Sequence, residues 1–165
     1  GRSLTPSRYV LRGHALWNRA TAAERAALLG AFCTNTTVSA LDLFNACIDD
    51  KLCVTLGRVL STNRSITALN VSTNLITSAG VEAIADGLRS NETLIEMDMS
   101  NLHAPGSSLE VKLTAKAEQA FADAVDAHPA LTKMYVALRH VPARDLLTRA
   151  VERNAAAARA AQRLK

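Results

Sequence analysis

The stretch Ile66–Asn91, ITALNVSTNLITSAGVEAIADGLRSN, decides how this chain folds. Its first half has the spacing I-x-x-L-x-V-x-x-N-x-I, in which alternate side chains of a short strand point to one side. Its second half carries Val81, Ile84 and Leu88 at helical spacing, so one face of a helix is apolar. Neither element can bury its apolar face alone, and the stretch therefore predicts one unit of a leucine-rich repeat.

The unit recurs along the chain. Leu69 has counterparts at equal intervals on either side, at Leu41 and Met97, and a fourth counterpart, Met134, follows after a longer interval. Stacked units lie with their strands parallel and side by side, and their helices form the opposite face. The predicted fold class is α/β, a right-handed leucine-rich-repeat solenoid with about four parallel strands on its concave side and about five helices on its convex side.

A single domain is predicted over residues 1–165. Residues 1–37 hold a degenerate first repeat and a helix, residues 38–141 hold the repeats, and residues 142–165 form a terminal helix with a basic tail. Pro142 suits the first turn of that helix. Its Leu and Ala residues can cover the exposed end of the solenoid, so we interpret it as a cap.

Local signals indicate where some of the elements begin. A first strand is expected within Tyr9–Leu16. Thr21 and Glu24 have the spacing of a capping box, in which each residue satisfies a backbone N–H of the other at the start of a helix. Ser107 and Glu110 have the same spacing and predict the start of a later helix.

Asparagine recurs at the end of each predicted helix. Asn35, Asn63 and Asn91 are spaced by the same interval as the strands, and each is followed by the Ser or Thr of a glycosylation sequence. Their period marks them as one structural position of the repeat. We expect asparagine there because it tolerates the left-handed backbone conformation that ends many helices.

The charge of the chain is concentrated in its last segment. The net charge is +4, and residues 143–165 contain six basic and two acidic residues, so the rest of the chain is balanced. No apolar run reaches the roughly 18 residues of a membrane span, and the N-terminus lacks the layout of a signal peptide. Three cysteines without a CxxC pair predict reduced thiols in a reducing compartment.

The sequence contains no pattern that predicts catalysis, a metal site or a cofactor. Phosphate-binding loops, nucleophile elbows and zinc-protease motifs are absent, and the four histidines are not paired at helical spacing. Asp49 and Asp50 are adjacent, so we expect them to point apart on a solvated loop. The chain is predicted to be a non-enzyme that binds another protein as a monomer.

Two surfaces could bind that protein. On the concave face, one residue per strand lies between the inward-pointing pairs: Asp42, Asn70, Asp98 and Tyr135. This row is mildly acidic and lacks large anchors, so the loops after the strands, Ser72–Thr77, Ser100–Ser108 and Ala137–Val141, are better candidates. The terminal helix is the other surface, because it would present its arginines in pairs to an acidic partner. Nucleic acid is disfavoured, since no aromatic residues alternate with these charges.

The same residues resemble a known family. Leu60–Gly80, LSTNRSITALNVSTNLITSAG, and Gly87–Leu94, GLRSNETL, are similar to the C-terminal leucine-rich-repeat domain of tropomodulin and leiomodin. The resemblance extends more weakly from Thr21 to the helix that begins near Pro142. Tropomodulins cap the pointed end of actin filaments, and their repeat domain contacts actin through strand-to-helix loops and the terminal helix.

The resemblance therefore implies that actin is the partner and that the protein is cytoplasmic and associated with the cytoskeleton. The loop and helix residues it implicates are Ser72, Thr73, Asn74, Asn101, His103, Arg139, Arg149 and Arg153. The alternative is a general leucine-rich-repeat scaffold with a partner other than actin. A contact of the basic tail with a membrane surface or RNA is a third, weaker alternative.

Overall fold

The computed structural model describes residues 7–12, 14–106 and 109–164. In these residues five strands form one sheet in the order β1-β2-β3-β4-β5, and every neighbouring pair is parallel. The strands are β1 (Arg8–Val10), β2 (Ala40–Asp42), β3 (Ala68–Asn70), β4 (Glu96–Asp98) and β5 (Lys133–Tyr135). The helices are α1 (Ala15–Arg19), α2 (Ala22–Gly30), α3 (Asp50–Thr62), α4 (Ser78–Leu88), α5 (Ala115–Ala127) and α6 (Val141–Arg163).

The register of the sheet confirms the repeat. Leu41 pairs with Leu69, Leu69 with Met97, and Met97 with Met134, so the four predicted positions lie side by side on neighbouring strands. Tyr9 extends the row onto β1. The α/β class and the parallel sheet are therefore confirmed, and the described residues hold one more strand and one more helix than the sequence predicted.

The N-terminal unit differs from its prediction. The strand ends at Val10, and Leu16 lies in α1 with 71% of its surface exposed. Trp17 fills the core instead, and its indole N–H donates to the carbonyl of Ala46 over 2.7 Å. The predicted capping box is confirmed: the Thr21 N–H donates to Glu24 Oε2 over 2.7 Å, and the Glu24 N–H donates to Thr21 Oγ1 over 3.3 Å.

Helices α3 and α4 pack closely because glycine lies at their contact. A Cβ added to Gly87 would collide with the carbonyl oxygen of Gly57, and one added to Gly57 would collide with the carbonyl oxygen of Ala83. Both obstacles are backbone atoms, which cannot turn aside. The small residues of the sequence therefore set the spacing of the stacked units at this point.

The buried asparagines form a hydrogen-bonded ladder across the units. Asn63 Nδ2 donates to the carbonyls of Phe32 and Asn35 over 2.7 and 2.8 Å, and its Oδ1 accepts from the N–H groups of Ser65 and Ile66. Asn63 has φ −71°, and Asn35 and Asn91 likewise have negative φ. The explanation by left-handed conformation was wrong: asparagine is required for its side-chain hydrogen bonds.

The ladder continues through two residues that the sequence pattern did not single out. His128 takes the next position, where its Nδ1 accepts from the N–H groups of Ala130 and Leu131 and its Nε2 lies 3.1 Å from Asn91 Oδ1. Asn154 of α6 supplies the last donor, to the carbonyls of His128 and Leu131. We call Asn35, Asn63, Asn91, His128 and Asn154 the asparagine ladder.

Asp49 and Asp50 point apart as expected, but they do not lie on a solvated loop. Asp49 Oδ1 accepts from the N–H of Leu52 at the start of its own helix, α3. Asp50 serves the next unit, where its carboxylate accepts from the N–H groups of Thr77 and Gly80 at the start of α4. Both carboxylates satisfy helix N-termini, which carry unpaired N–H groups and a partial positive charge.

The loop between β4 and α5 is the longest in the repeats. Ser107 lies outside the described residues, and the helix begins later than predicted, at Ala115, after Thr114 as its capping residue. Glu110 instead forms an antiparallel bridge with His103.

Helix α6 begins as predicted, with Pro142 in its first turn. Its N-terminus is held by the buried Glu118 of α5, whose Oε2 accepts from the N–H groups of Arg139 and His140 over 2.8 and 2.6 Å. Ala143 and Ala150 of α6 are buried. Among the described residues, no helix combines the length and apolar character that crossing a bilayer requires.

Candidate protein-binding surface

The loops that leave the strands form a stacked edge with a shared backbone conformation. Asn45, Thr73 and Asn101 recur at the interval of the repeat and have φ of 48°, 57° and 54°, in the left-handed region that few non-glycine residues adopt. The N–H of Asn45 donates to the carbonyl of Ser72, and the N–H of Thr73 donates to that of Ser100. These bonds continue the sheet ladder into the loops. We call residues 43–48, 71–77, 99–106 and 137–140 the loop edge.

The residues predicted after β3 differ in their accessibility. Asn74 is 1% exposed, and its amide group donates to three carbonyls and accepts from the N–H groups of Ala46 and Ile48. Ser72 is also buried, and its hydroxyl donates to Asn70 Oδ1. The prediction is corrected on this point: both side chains shape the loop and are closed to a partner. Thr73 is half-buried, and Asn101 is exposed.

His103 and Arg139 both contact Glu110. His103 bridges Glu110 through its backbone, and the N–H of His103 donates to the carbonyl of Asn74 over 2.8 Å. The His103 side chain is half-buried, and its Nδ1 lacks a hydrogen-bond partner among the described residues. The exposed guanidinium of Arg139 lies 3.8 Å from Glu110 Oε2. The two predicted residues therefore belong to one part of the loop edge.

The two predicted arginines of α6 differ in what they contact. Arg153 donates to both the carboxylate and the carbonyl of Asp126 over 2.7 Å, so it fastens α6 to the end of α5. Arg149 is exposed, and its Nε donates to the carbonyl of Asp145, one turn earlier. Among the described residues, no carboxylate lies within ion-pair distance of Arg149. Both arginines are exposed, and Arg149 is the one without an ion-pair partner in the described part of the chain.

The four predicted concave residues lie in one row. Asp42 pairs with Asn70, Asn70 with Asp98, and Asp98 with Tyr135 across the sheet. Beside them a groove of about 390 Å³ runs over the strands, and it is lined by Arg8, Ala40, Leu41, Asp42, Ala68, Leu69, Asn70, Glu96 and Asp98. We call this space the concave groove. The groove contains the carboxylates of Asp42, Glu96 and Asp98, whereas the terminal helix is rich in arginine, so the molecule has both acidic and basic surfaces.

The three cysteines are free thiols in different environments. Burial raises the pKa of the Cys53 thiol, which disfavours its thiolate form. Cys33 and Cys47 are free thiols. Within the described part of the chain, no three His, Cys, Asp or Glu residues are grouped so that they could hold a metal ion.

Sequence reasoning missed the residues that hold this surface in place. Glu118, Asp50 and Asn154 each act across two units, and a pattern within one repeat does not reveal such a contact. The row of left-handed residues had a detectable signal. Asn45, Thr73 and Asn101 recur with the period of the repeat, and two of them are asparagine.

The chain is similar to known proteins over most of its length. A profile of the TMOD/LMOD leucine-rich domain, the domain of tropomodulins and leiomodins, matches residues 17–157. Leiomodin-2 of Gallus gallus is 36% identical over 80 residues, which are 48% of this chain and 14% of that protein. The matched stretch is therefore a small part of that relative.

Solved structures agree with this similarity. The structure titled leiomodin-1 actin-binding site 2 has 25% identity and a TM-score of 0.78, and the match covers 94% of this chain and 84% of that one. The tropomodulin C-terminal domain of Caenorhabditis elegans has 20% identity and a TM-score of 0.77, with 99% and 91% covered, and it supports the fold. The chain belongs to the tropomodulin/leiomodin leucine-rich domain family.

Proposed function

We propose that this chain is a non-enzymatic module that binds actin at the pointed end of the filament. The observation that carries the proposal is the likeness to leiomodin-1 actin-binding site 2, at a TM-score of 0.78 over 94% of this chain. The binding surface is the loop edge together with the exposed side of α6. Both offer accessible polar and basic groups, which suit an acidic protein surface.

The accessible residues of this surface make the contacts in our proposal. They are Thr73, Asn101, His103, Arg139 and Arg149. Ser72, Asn74 and Arg153 contribute by holding the loops and α6 in position, because their polar groups are already hydrogen-bonded. The backbone hydrogen bonds between the loops support this role, since loops that are already ordered lose little conformational freedom on binding.

We also infer the larger organisation from the stacked units. The solenoid is right-handed, residues 1–165 act as one domain, and α6 caps the last unit by covering α5. The module works as a monomer in the cytoplasm, at the cytoskeleton. The buried Ala143 and Ala150 and the Arg153–Asp126 contact support the capping role of α6.

Elongation of actin filaments at their pointed ends, with the barbed ends blocked, tests the proposal. We expect the chain to slow elongation at micromolar concentration. Arg149→Glu should weaken the effect about fivefold, because the loss of one exposed ion pair with the partner costs up to about 1 kcal/mol. Arg58→Glu on the exposed side of α3 makes the same charge change away from the surface and should leave the effect intact.

Two results would overturn parts of the proposal. If the folded chain does not slow elongation at all, actin is not its partner, and the alternative of a scaffold for another protein stands. If Arg58→Glu and Arg149→Glu weaken the effect equally, net charge alone acts and α6 is not part of the surface. Circular dichroism of each variant shows whether it is folded.

A further inference from the structure

The concave groove contains a carboxylate that has no basic partner among the described residues. Asp98 Oδ1 accepts from the N–H and hydroxyl of Ser100 over 2.9 and 2.7 Å, which fixes the orientation of its carboxylate. No ion pair of Asp98 exists in the described part of the chain. The other carboxylates of the groove are neutralised, because Asp42 pairs with Arg8 and Glu96 pairs with Lys133.

The neighbouring Asp42 shows what can occupy such a carboxylate. Asp42 lies two strands from Asp98 at the same position of the repeat, and its Oδ1 likewise accepts from the N–H two residues later. Its other oxygen, Oδ2, accepts from the guanidinium of Arg8. The chain thus contains an arginine bound to one member of the row, and the corresponding oxygen of Asp98 has no such partner within the described ranges.

The surroundings of Asp98 leave space for a long side chain. Arg8, Ala40, Ala68 and Glu96 follow one another across strands β1 to β4 and line the groove. The two alanine side chains are short, so the space between Arg8 and Glu96 is open. Tyr135 on β5 pairs with Asp98 on β4 in the register of the sheet, where neighbouring strands are about 4.8 Å apart. Tyr135 has 52% of its surface exposed. An exposed aromatic ring next to a carboxylate favours a planar cation, because the ring face attracts positive charge.

We propose that the concave groove binds an arginine side chain presented by a protein partner. The guanidinium pairs with the free oxygen of Asp98 and lies against the ring of Tyr135, with its alkyl stem over Ala68. Arginine suits this site better than lysine because its planar, forked group can contact a carboxylate and an aromatic ring together. The binding side chains of the site, Asp98 and Tyr135, belong to strands β4 and β5 and not to the loop edge, and the proposal holds whether or not the partner is actin.

Binding of acetylated tetra-arginine amide, followed by chemical shifts of backbone amides at low salt, tests the proposal. We expect shifts at Asn70, Asp98, Ser100 and Tyr135, and weaker binding of tetra-lysine. Asp98→Asn should weaken tetra-arginine binding about fivefold, the value of an exposed ion pair. The variant keeps its fold because Asn70 forms the same turn with Ser72 in the preceding unit.

Matched variants separate a specific site from general attraction. Asp86→Asn removes an exposed carboxylate of α4 and should leave the affinity unchanged. Tyr135→Phe keeps the ring and should bind as the parent does, whereas Tyr135→Leu should lose about threefold. The proposal is overturned if Asp86→Asn loses as much as Asp98→Asn, if Asp98 and its neighbours Asn70, Ser100 and Tyr135 do not shift, or if both peptides bind equally. None of these outcomes bears on the elongation assay.

Discussion

The asparagine ladder lies before the strands and the loop edge lies after them, and different groups form the hydrogen bonds of the two regions. At the asparagine ladder the side chains of Asn63 and Asn91 are buried and satisfy the backbone of two units at once. The buried His128 bonds the backbone of its own unit and the side chain of Asn91. At Asn45 and Thr73 of the loop edge the hydrogen bonds between units are made by the backbone, in a left-handed conformation that costs energy, and the side chains of Asn45 and Asn101 are exposed. The ladder side chains stabilise the stack, whereas the exposed side chains of Asn45 and Asn101 are free to bind.

The difference explains how one repeat can serve two purposes. A position whose side chain is fully hydrogen-bonded tolerates little change, since substitution leaves several buried groups unpaired. A position whose backbone alone is used can vary its side chain without loss of the fold. Where the ladder changes from Asn91 to His128, the new side chain still accepts the backbone N–H groups of its unit, whereas Thr73 replaces asparagine at the loop edge and keeps the backbone hydrogen bond.

The largest expected effect comes from breaking the ladder at Asn63. Asn63→Ala leaves two carbonyls and two N–H groups without their partner, and the free energy of unfolding should fall by about 4 kcal/mol. Asn101→Ala at the loop edge should cost about 1 kcal/mol, since only its backbone conformation is disfavoured. Urea denaturation measures both. Equal losses would mean that the two regions do not differ as described.

The next effect concerns Glu118, which joins the loop edge to the body of the protein. Glu118→Ala frees the N–H groups of Arg139 and His140, and we expect a loss of about 2 to 3 kcal/mol. Glu118→Gln keeps an accepting oxygen and should lose less. Hydrogen exchange should accelerate at the first turn of α6 in the alanine variant. Exchange that is uniform along α6 would show that Glu118 does not hold this end specifically.

The sequence was most informative where one residue type repeats its role in every unit. Leu41, Leu69 and Met97 predicted the register because alternation along a strand depends only on local spacing. The function of Asn63 could not be derived in the same way, because its partners Phe32 and Asn35 lie about one repeat earlier. The sequence therefore predicted the stacked fold and an exposed loop surface, while contacts between units required coordinates.

The terminal unit shows this limit most clearly. Arg149 and Arg153 are equivalent in sequence, one helical turn apart on the same helix. The position of Asp126 gives Arg153 a structural ion pair, whereas Arg149 has none among the described residues. Likewise, Asp98 and Asp42 occupy the same repeat position, and the nearby Arg8 alone distinguishes them.

A moderate effect should arise from pH, because the ladder contains one titratable member. Burial lowers the pKa of His128 below its usual 6.5, although the charge of Glu92 opposes the shift. The unfolded chain then binds the proton more tightly than the folded one, so the full stability is present above pH 6.5 and falls as the pH drops below that value. The loss ends once the pH is below the pKa of the folded state. Denaturant titrations at a series of pH values should therefore show stability declining on the acid side of neutrality.

His128→Asn gives the matched control for this pH dependence. The variant has the residue that the other units use at this position, and it cannot titrate. Its stability should change less between pH 7 and pH 5 than that of the parent, in denaturant titrations at each pH. The Arg153–Asp126 ion pair, next to Asn154 and His128 in the sequence, is present in both proteins, so it does not cause a difference between their pH profiles. An identical pH profile for the two proteins would exclude His128 as the source.

The smallest expected effect is a gain in stability at the loop edge. Thr73 has φ 57°, which is unfavourable for a β-branched residue, and the equivalent positions on either side are Asn45 and Asn101. Thr73→Asn should therefore raise the free energy of unfolding by about 0.5 to 1 kcal/mol without changing the core. Thr34→Asn, at φ −110°, makes the same substitution without this strain and should have no such effect. If both variants were equally stable, the left-handed row would carry no strain, and the contrast between the two regions would depend on the side chains alone.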